Sequence, residues 1–297
     1  MKLAQGDEPR KDAASSGEAS GMIEKFKDKV CVVTGAGSGI GRALAIRLAG
    51  AGAALAISDI NAEGLEETAQ MIGKGSNRIR KDVLDVSNAA AIEPYAAAVK
   101  ESLGSADYVF NVAGLARIGT FKDTPLSSFE KVMNVNFWGV VRMTKAFLPQ
   151  LIETKGGVVN ISSLFGLIGV PGQAHYCASK FGVRGFNEAL AAELEEEGVS
   201  VTSVHPGGVK TNVARNAQVD ALPEGAKSKD ELVNRFNAAA ITTPEKAAEI
   251  ILAGTARRAR RVLVGPDAKV MSFIQRLLPS SYMELLGPTV FKRLRDG

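Results

Sequence analysis

From Lys29 onward, short apolar runs alternate with amphipathic stretches. "VCVVT" (30–34) precedes a helical pattern from Ile40, and "AALAIS" (53–58) precedes another from Asn61. Unbroken apolar runs of this length suit strands buried on both faces, and apolar positions recurring every three or four residues suit helices laid against a sheet. Further strands are expected at 77–83, 107–112, 157–162, 199–204 and 261–264, with helices around 88–103, 127–153, 173–197 and 244–257. The alternation predicts an α/β fold with one seven-stranded parallel sheet and helices on both faces.

Composition trims the picture at its edges. The 297 residues are 45% hydrophobic, enough for one large domain. Residues 1–22 carry charges of both signs and too little apolar surface to bury; they read as a disordered tail, without the apolar stretch of a secretory signal and too rich in acids for a transit peptide. The alternating pattern occupies 23–266, and 267–297 reads as a helical extension. A net charge of +4, spread over 36 basic and 32 acidic residues, is too weak to imply nucleic-acid binding. The two cysteines, Cys31 and Cys177, have no metal-type spacing and read as reduced thiols of a cytoplasmic protein. No apolar run approaches the roughly 20 residues of a membrane span.

The first strand runs into "TGAGSGIG" (34–41) and then directly into a helix. A glycine turn between strand and helix lets backbone N–H groups approach a pyrophosphate at the positive helix end. Gly35, Ser38, Gly39, Ile40 and Gly41 are therefore candidate cofactor residues of a Rossmann-type, doubly wound sheet. Asp59 ends the second strand about twenty residues on. Its carboxylate suits a ribose diol and would repel a 2′-phosphate, favouring NAD over NADP; the alternative is a polar strand end or helix N-cap. Arg42, the nearest basic residue, begins the helix and reads as solvated.

With these residues the chain resembles the short-chain dehydrogenase/reductase family over about residues 28–265. "TGAGSGIG" looks like its TGxxxGxG turn and "NVAG" (111–114) like its NNAG strand end, with Val112 in place of the second asparagine. "NVNFWG", "NISS", "YCASK" and "HPGGVKT" follow in the family's order. The resemblance implies that Asp85 and Val86 meet the adenine ring and that Asn111, Ala113 and Gly114 belong to the cofactor side. It further implies that the Val209 backbone and the Thr211 hydroxyl hold the nicotinamide carboxamide. It assigns catalysis to Asn136, Ser163, Tyr176 and Lys180: Ser163 holds the substrate oxygen, the Asn136 backbone holds a relay water, and Lys180 also binds the nicotinamide ribose. Ser162 competes with Ser163. Homodimers or homotetramers are the family's usual assemblies.

The tyrosine and lysine have a physical rationale of their own. Four residues apart on a helix, they share one face. An ammonium about 5 Å from a phenolate, at an effective dielectric near 20, stabilises it by about 3 kcal/mol, roughly two pKa units before desolvation opposes it. That would bring the phenol toward the range of a general base. The expected activity is NAD-dependent hydride transfer between a secondary alcohol and its carbonyl product. Leu164, Phe165, Ile168 and Val170, in "LFGLIGVPG", suggest an apolar substrate wall alongside Ser163, and residues 212–240 a lid. Rival readings are a dinucleotide-binding sensor or scaffold without turnover, and a membrane-surface adaptor. The adaptor rests on Phe273, Ile274, Leu277 and Leu278 with nearby basic residues, which equally describe a docked helix. A serine hydrolase would need a GxSxG elbow, and the chain has none. His175 reads as a pocket wall or surface residue, His205 as strand-end packing.

Overall fold

The structure, a computed structural model, describes residues 24–73, 78–222 and 228–286. The expected tail at 1–22 and the last residues of the extension lie outside them. A 3-10 turn (Glu24–Phe26) leads into β1 (Val30–Thr34), α1 (Gly39–Gly50), β2 (Ala54–Asp59), α2 (Ala62–Ile72), β3 (Ile79–Val83), α3 (Ala89–Leu103) and β4 (Tyr108–Asn111). A short β5 (Arg117–Ile118) precedes α4 (Leu126–Met133), a π turn (Asn134–Trp138), α5 (Gly139–Thr154) and β6 (Gly157–Ile161). After a 3-10 turn (Leu164–Gly166) come α6 (Ala174–Glu193), β7 (Ser200–Pro206), α7 (Val213–Asn216), β8 (Gln218–Val219) and α8 (Lys229–Ala239). The described chain ends with α9 (Pro244–Ala256), β9 (Arg261–Val264), α10 (Pro266–Leu277) and α11 (Tyr282–Leu286).

Seven parallel strands form the expected sheet, in the order β3-β2-β1-β4-β6-β7-β9. The winding reverses between β1 and β4, so their carboxyl ends frame the crevice where such sheets hold ligands. Alternate residues of β1 explain its unbroken apolar run. Cys31 and Val33 join Leu44 and Leu48 of α1 and Ile251 of α9 on one face. Val30 and Val32 join Ile92 and Val99 of α3 and Met143 and Phe147 of α5 on the other. Each such fully buried side chain contributes roughly 1.5–3 kcal/mol. The edge strand β3 instead carries an Arg80–Asp82 ion pair at 2.7 Å, the charged character that keeps an edge from pairing with another chain.

Two features depart from the periodicity. The single helix expected at 127–153 is interrupted by the π turn, in which the Gly139 N–H reaches the Asn134 carbonyl five residues back. A second sheet pairs β5 with β8 in parallel; strands of two residues leave no readable pattern. In the C-terminal segment, Met271 and Tyr282 pack on Leu164, Leu167 and Ile168, and the Tyr282 hydroxyl accepts the Gly169 N–H at 3.0 Å. The outer face of α10 leaves Val270, Phe273 and Leu277 exposed beside Lys269 and Arg276. Among the described residues no helix is long and apolar enough to cross a membrane.

Candidate active site

A cavity of about 730 Å³ opens at the carboxyl ends of the strands. Its floor is the glycine turn. Gly35 has φ +66°, and a Cβ there would lie 2.8 Å from the Ala113 nitrogen; a Cβ on Gly41 would lie 2.1 Å from the Gly35 carbonyl oxygen. Turn, helix and neighbouring strand end are thus packed backbone to backbone. Thr34 binds the seam, its hydroxyl accepting the N–H groups of Val112 (3.0 Å) and Ala113 (3.1 Å). Val112 takes part through its backbone, which explains how valine serves where the family pattern has asparagine.

Asp59 lies across this turn. Its Oδ2 accepts the Gly37 N–H at 2.8 Å and its Oδ1 the Asn61 N–H at 2.9 Å; the N-cap of α2 is Asn61. Arg42 is not the solvated residue expected. It donates to the carbonyls of Gly37 in the turn and Gly64 in α2 and to the Thr68 hydroxyl, and pairs with Glu67, so that it ties the turn to the first part of α2. Ser38, at the N-cap of α1, makes no capping bond through its side chain. Gly39, Ile40 and Gly41, the first turn of that helix, line the cavity. An open helix N-terminus, a carboxylate across the turn and an elongated cavity fit a dinucleotide. Asp85, Val86, Ala113, Gly114, Val209 and Thr211 line the same cavity. Asp85 already accepts both the N–H (2.8 Å) and the hydroxyl (2.7 Å) of Ser87 through Oδ1.

The chemistry-bearing side chains stand on the adjoining wall. Helix α6 presents Tyr176 and Lys180 one turn apart, with Lys180 Nζ 5.7 Å from the Tyr176 ring centre and donating to the Ile161 carbonyl at 2.8 Å. Ser163 caps the 3-10 turn, its hydroxyl accepting the Phe165 N–H at 3.0 Å and lying on the same cavity wall as Tyr176, whose pKa it pulls down. Phe165 packs edge-on against Tyr176, ring centres 6.1 Å apart. Ser162 points the other way and donates to the Lys180 carbonyl at 2.8 Å, which separates the two serines. Desolvation dominates: burial pushes the Tyr176 phenol up to about 12, with Ser163 pulling it back. Burial likewise lowers Lys180 to about 8. The phenol is therefore not near neutrality as the Coulomb term alone suggested.

Four expected site residues, Asn111, Asn136, Ile168 and Val170, sit off the cavity wall. Asn111 is buried between β4 and its neighbours, its amide donating to Thr144 and Asn160. It is an internal strut, because the strand end turns its side chain into the sheet's underside. Asn136, also buried, staples the turn after β4 by accepting the Leu115 N–H and donating to the Leu115 carbonyl, both at 2.9 Å. Val170 packs with Leu164 and Ile168 against the C-terminal segment, so that of the predicted apolar wall Leu164 and Phe165 face the cavity. His175 is neither wall nor surface: it is buried against Phe129. His205 is buried and hydrogen-bonded at both ring nitrogens, reaching the Ser163 carbonyl rather than its hydroxyl, an arrangement unlike a serine hydrolase. Burial lowers it to about 4.

The far wall comes from residues the motifs do not mark. Leu232, Val233 and Phe236 of α8 line the cavity. The short β5–β8 pair is tied by Asp220, which takes a bidentate pair from Arg117 (2.9 and 2.5 Å) and the Ser128 hydroxyl (3.0 Å). Arg117 and Asp220 are 103 residues apart, and nothing in the sequence pairs them.

Comparison with known proteins agrees with this geometry. Residues 29–221 match the family described as short chain dehydrogenase. The chain is 45% identical over 273 residues to the putative oxidoreductase SadH of Mycobacterium tuberculosis, covering 91% of this chain and 98% of that one. A short-chain dehydrogenase/reductase from Burkholderia phymatum, solved in complex with NAD, is similar with a TM-score of 0.78 and 26% identity, covering 86% of this chain and 95% of that one. Levodione reductase is similar with a TM-score of 0.71 and 28% identity, covering 83% and 99% respectively. The glycine turn and the tyrosine–lysine helix thus stand in the setting they were expected to share, and the chain belongs to the short-chain dehydrogenase/reductase family of oxidoreductases.

Proposed function

We propose that the protein is an NAD-dependent oxidoreductase acting between a secondary, lipophilic alcohol and its carbonyl partner, with Tyr176 as general acid and base. The observation that carries this reading is the convergence of Ser163, Tyr176 and Lys180 on one wall of the cavity whose floor is the glycine turn. The Asp59 carboxylate, with Arg42 committed to turn carbonyls, supports NAD over NADP. The NAD in the Burkholderia phymatum structure supports the same cofactor class. Leu164, Phe165, Leu232, Val233 and Phe236 support a lipophilic substrate.

A bound nicotinamide would supply the hydride acceptor or donor. The chain's own part is proton handling and orientation. Ser163 holds the substrate oxygen beside the Tyr176 phenol and stabilises the charge that develops there. With its pKa near 12 the phenol is protonated at neutral pH, the state that donates to a carbonyl oxygen during reduction. Oxidation needs the phenolate, and Lys180, still largely protonated at pH 7 with a pKa near 8, supplies the neighbouring positive charge that favours it.

The test is fluorescence detection of NADH formation from a panel of secondary alcohols, with NAD and NADP, for the wild type and Tyr176→Phe. Tyr176→Phe is expected to lower kcat by about 10³-fold, in the range of lost acid–base catalysis, while NADH binding changes less than about twofold. Near-normal turnover by the mutant on a good substrate would refute the role of Tyr176.

A further inference from the structure

Five polar side chains run in a single file through the buried layer beneath the site. The Asn111 amide donates to Asn160 Oδ1 at 2.8 Å, and the Asn160 amide donates to Asn187 Oδ1 at 2.6 Å. The Asn187 amide reaches Ser203 Oγ at 3.1 Å, Ser203 Oγ lies 3.1 Å from His205 Nε2, and His205 Nδ1 lies 3.1 Å from the Ser163 carbonyl oxygen. All five are at most 3% exposed. They come from three adjacent strands, β4, β6 and β7, and from helix α6, so the file runs across the sheet and ties α6 to it.

The far end fixes the direction of every link. A carbonyl oxygen can only accept, so His205 Nδ1 must carry the proton. In a neutral imidazole Nε2 is then the acceptor, and the Ser203 hydroxyl must donate to it. That leaves Ser203 Oγ to accept from Asn187, as its placement requires. Every donor therefore points toward Ser163, and aligned bonds in a dry interior polarise one another. The Ser163 carbonyl also accepts the Gly166 N–H at 3.0 Å. The peptide that follows Ser163 is thus held from two sides, and the Ser163 hydroxyl, bonded to the Phe165 N–H and facing the cavity wall it shares with Tyr176, hangs beside it.

We propose that His205, as the neutral Nδ1–H tautomer, is a positioning residue for Ser163: the last link of a one-way hydrogen-bond file that sets where the Ser163 hydroxyl meets Tyr176 and the substrate oxygen. The proposal rests on the oxidoreductase reading for its kinetic consequence, but its structural core does not. The charged groups that act on the ring are Arg184 and Glu188 on α6 and Arg261 on β9; burial and the two arginines outweigh Glu188 and the Ser163 bond and keep the ring uncharged.

The experiment has two arms. In the first, ring nitrogens are read by long-range ¹H–¹⁵N NMR on protein with labelled histidine; the chain has two histidines, so His205→Asn removes one signal set and assigns the other. A neutral Nδ1–H tautomer that does not titrate between pH 5 and 8 is expected. An Nε2–H tautomer, or a ring that charges near pH 6.5, would overturn the proposal whether or not the protein turns over an alcohol. In the second arm, His205→Leu removes the donor while His205→Asn returns an amide N–H near the Nδ1 position. His205→Leu is expected to lose about 10²-fold in kcat, as small misplacements at a reacting centre do, with NADH affinity held, and His205→Asn to recover most of the loss. Equal kcat for wild type and His205→Leu, or His205→Asn falling as far as His205→Leu while both bind NADH, would overturn it. Absence of turnover in the wild type would count against the functional reading, and the NMR arm would still decide the tautomer.

Discussion

The two halves of the cavity are built differently. The half around Gly35, Gly41, Thr34 and Asp59 is made of strand ends and one tight turn, held by contacts in which backbone meets backbone with no room for a Cβ. The half around Phe165, Phe236 and the β5–β8 pair is made of turns and short helices held by side chains from remote segments: Arg117 with Asp220, and Tyr282 with Gly169, 113 residues away. The first half admits very few sequences; the second admits many, provided distant partners match. One surface is therefore specified by local motif and its opposite by long-range pairing, and a substrate pocket can drift while a cofactor cradle stays put.

Perturbations can be aimed at this division. The largest expected effect is on the seam. The fold lowers His205 from an ordinary 6.5 to about 4, so the unfolded chain takes up its proton first as pH falls. Stability of about 3 kcal/mol is then present above pH 6.5 and lost progressively down to about pH 4. Chemical denaturation across that window should show a steeper acid loss for the wild type than for His205→Asn; parallel curves would remove His205 from the acid response. Next, Gly41→Ala forces a methyl against the Gly35 carbonyl. It should weaken NAD binding by about 2 kcal/mol, roughly thirtyfold in Kd by calorimetry, while KM for the alcohol measured at saturating NAD stays put. Arg117→Ala should do the reverse, raising substrate KM about tenfold through a loosened β5–β8 pair, whose Ile118 lines the cavity, and leaving NAD binding unchanged. If either variant damaged both constants equally, the halves would not be separable. Smallest, Asp59→Asn should erode the ratio of kcat/KM for NAD over NADP by several-fold to about tenfold, through loss of like-charge repulsion.

The same division governs what could be read from the chain. The inner strands β1, β2, β6 and β7 stood out because both their faces are buried, and the glycine turn because its residues are contiguous. Tyr176 and Lys180 were visible as an i, i+4 pair and Ser163 by its place at the end of β6. The π turn at Asn134–Trp138 was hidden inside an uninterrupted helical pattern, since one extra residue barely disturbs a period of 3.6. Asn111 and Asn136 carried motif positions yet serve from below the cavity, where sequence spacing says nothing about which way a side chain points. Arg42 looked solvated because the carbonyls it satisfies exist only once the turn has folded. The phenol's pKa was misjudged for a related reason: the Coulomb term can be written from a spacing, but desolvation depends on everything packed around the ring.

Arg42 has a practical consequence for redesign. A chain engineered to accept a 2′-phosphate by neutralising Asp59 alone would gain tolerance without gaining a partner, because this guanidinium is already spent holding the Gly37 and Gly64 carbonyls and the Thr68 hydroxyl. Recruiting it would unstitch the loop that must stay closed for any nucleotide to lie down. The new cation has to be imported, and Ile60, 67% exposed and already lining the cavity beside Asp59, is the place where an arginine would cost the core nothing.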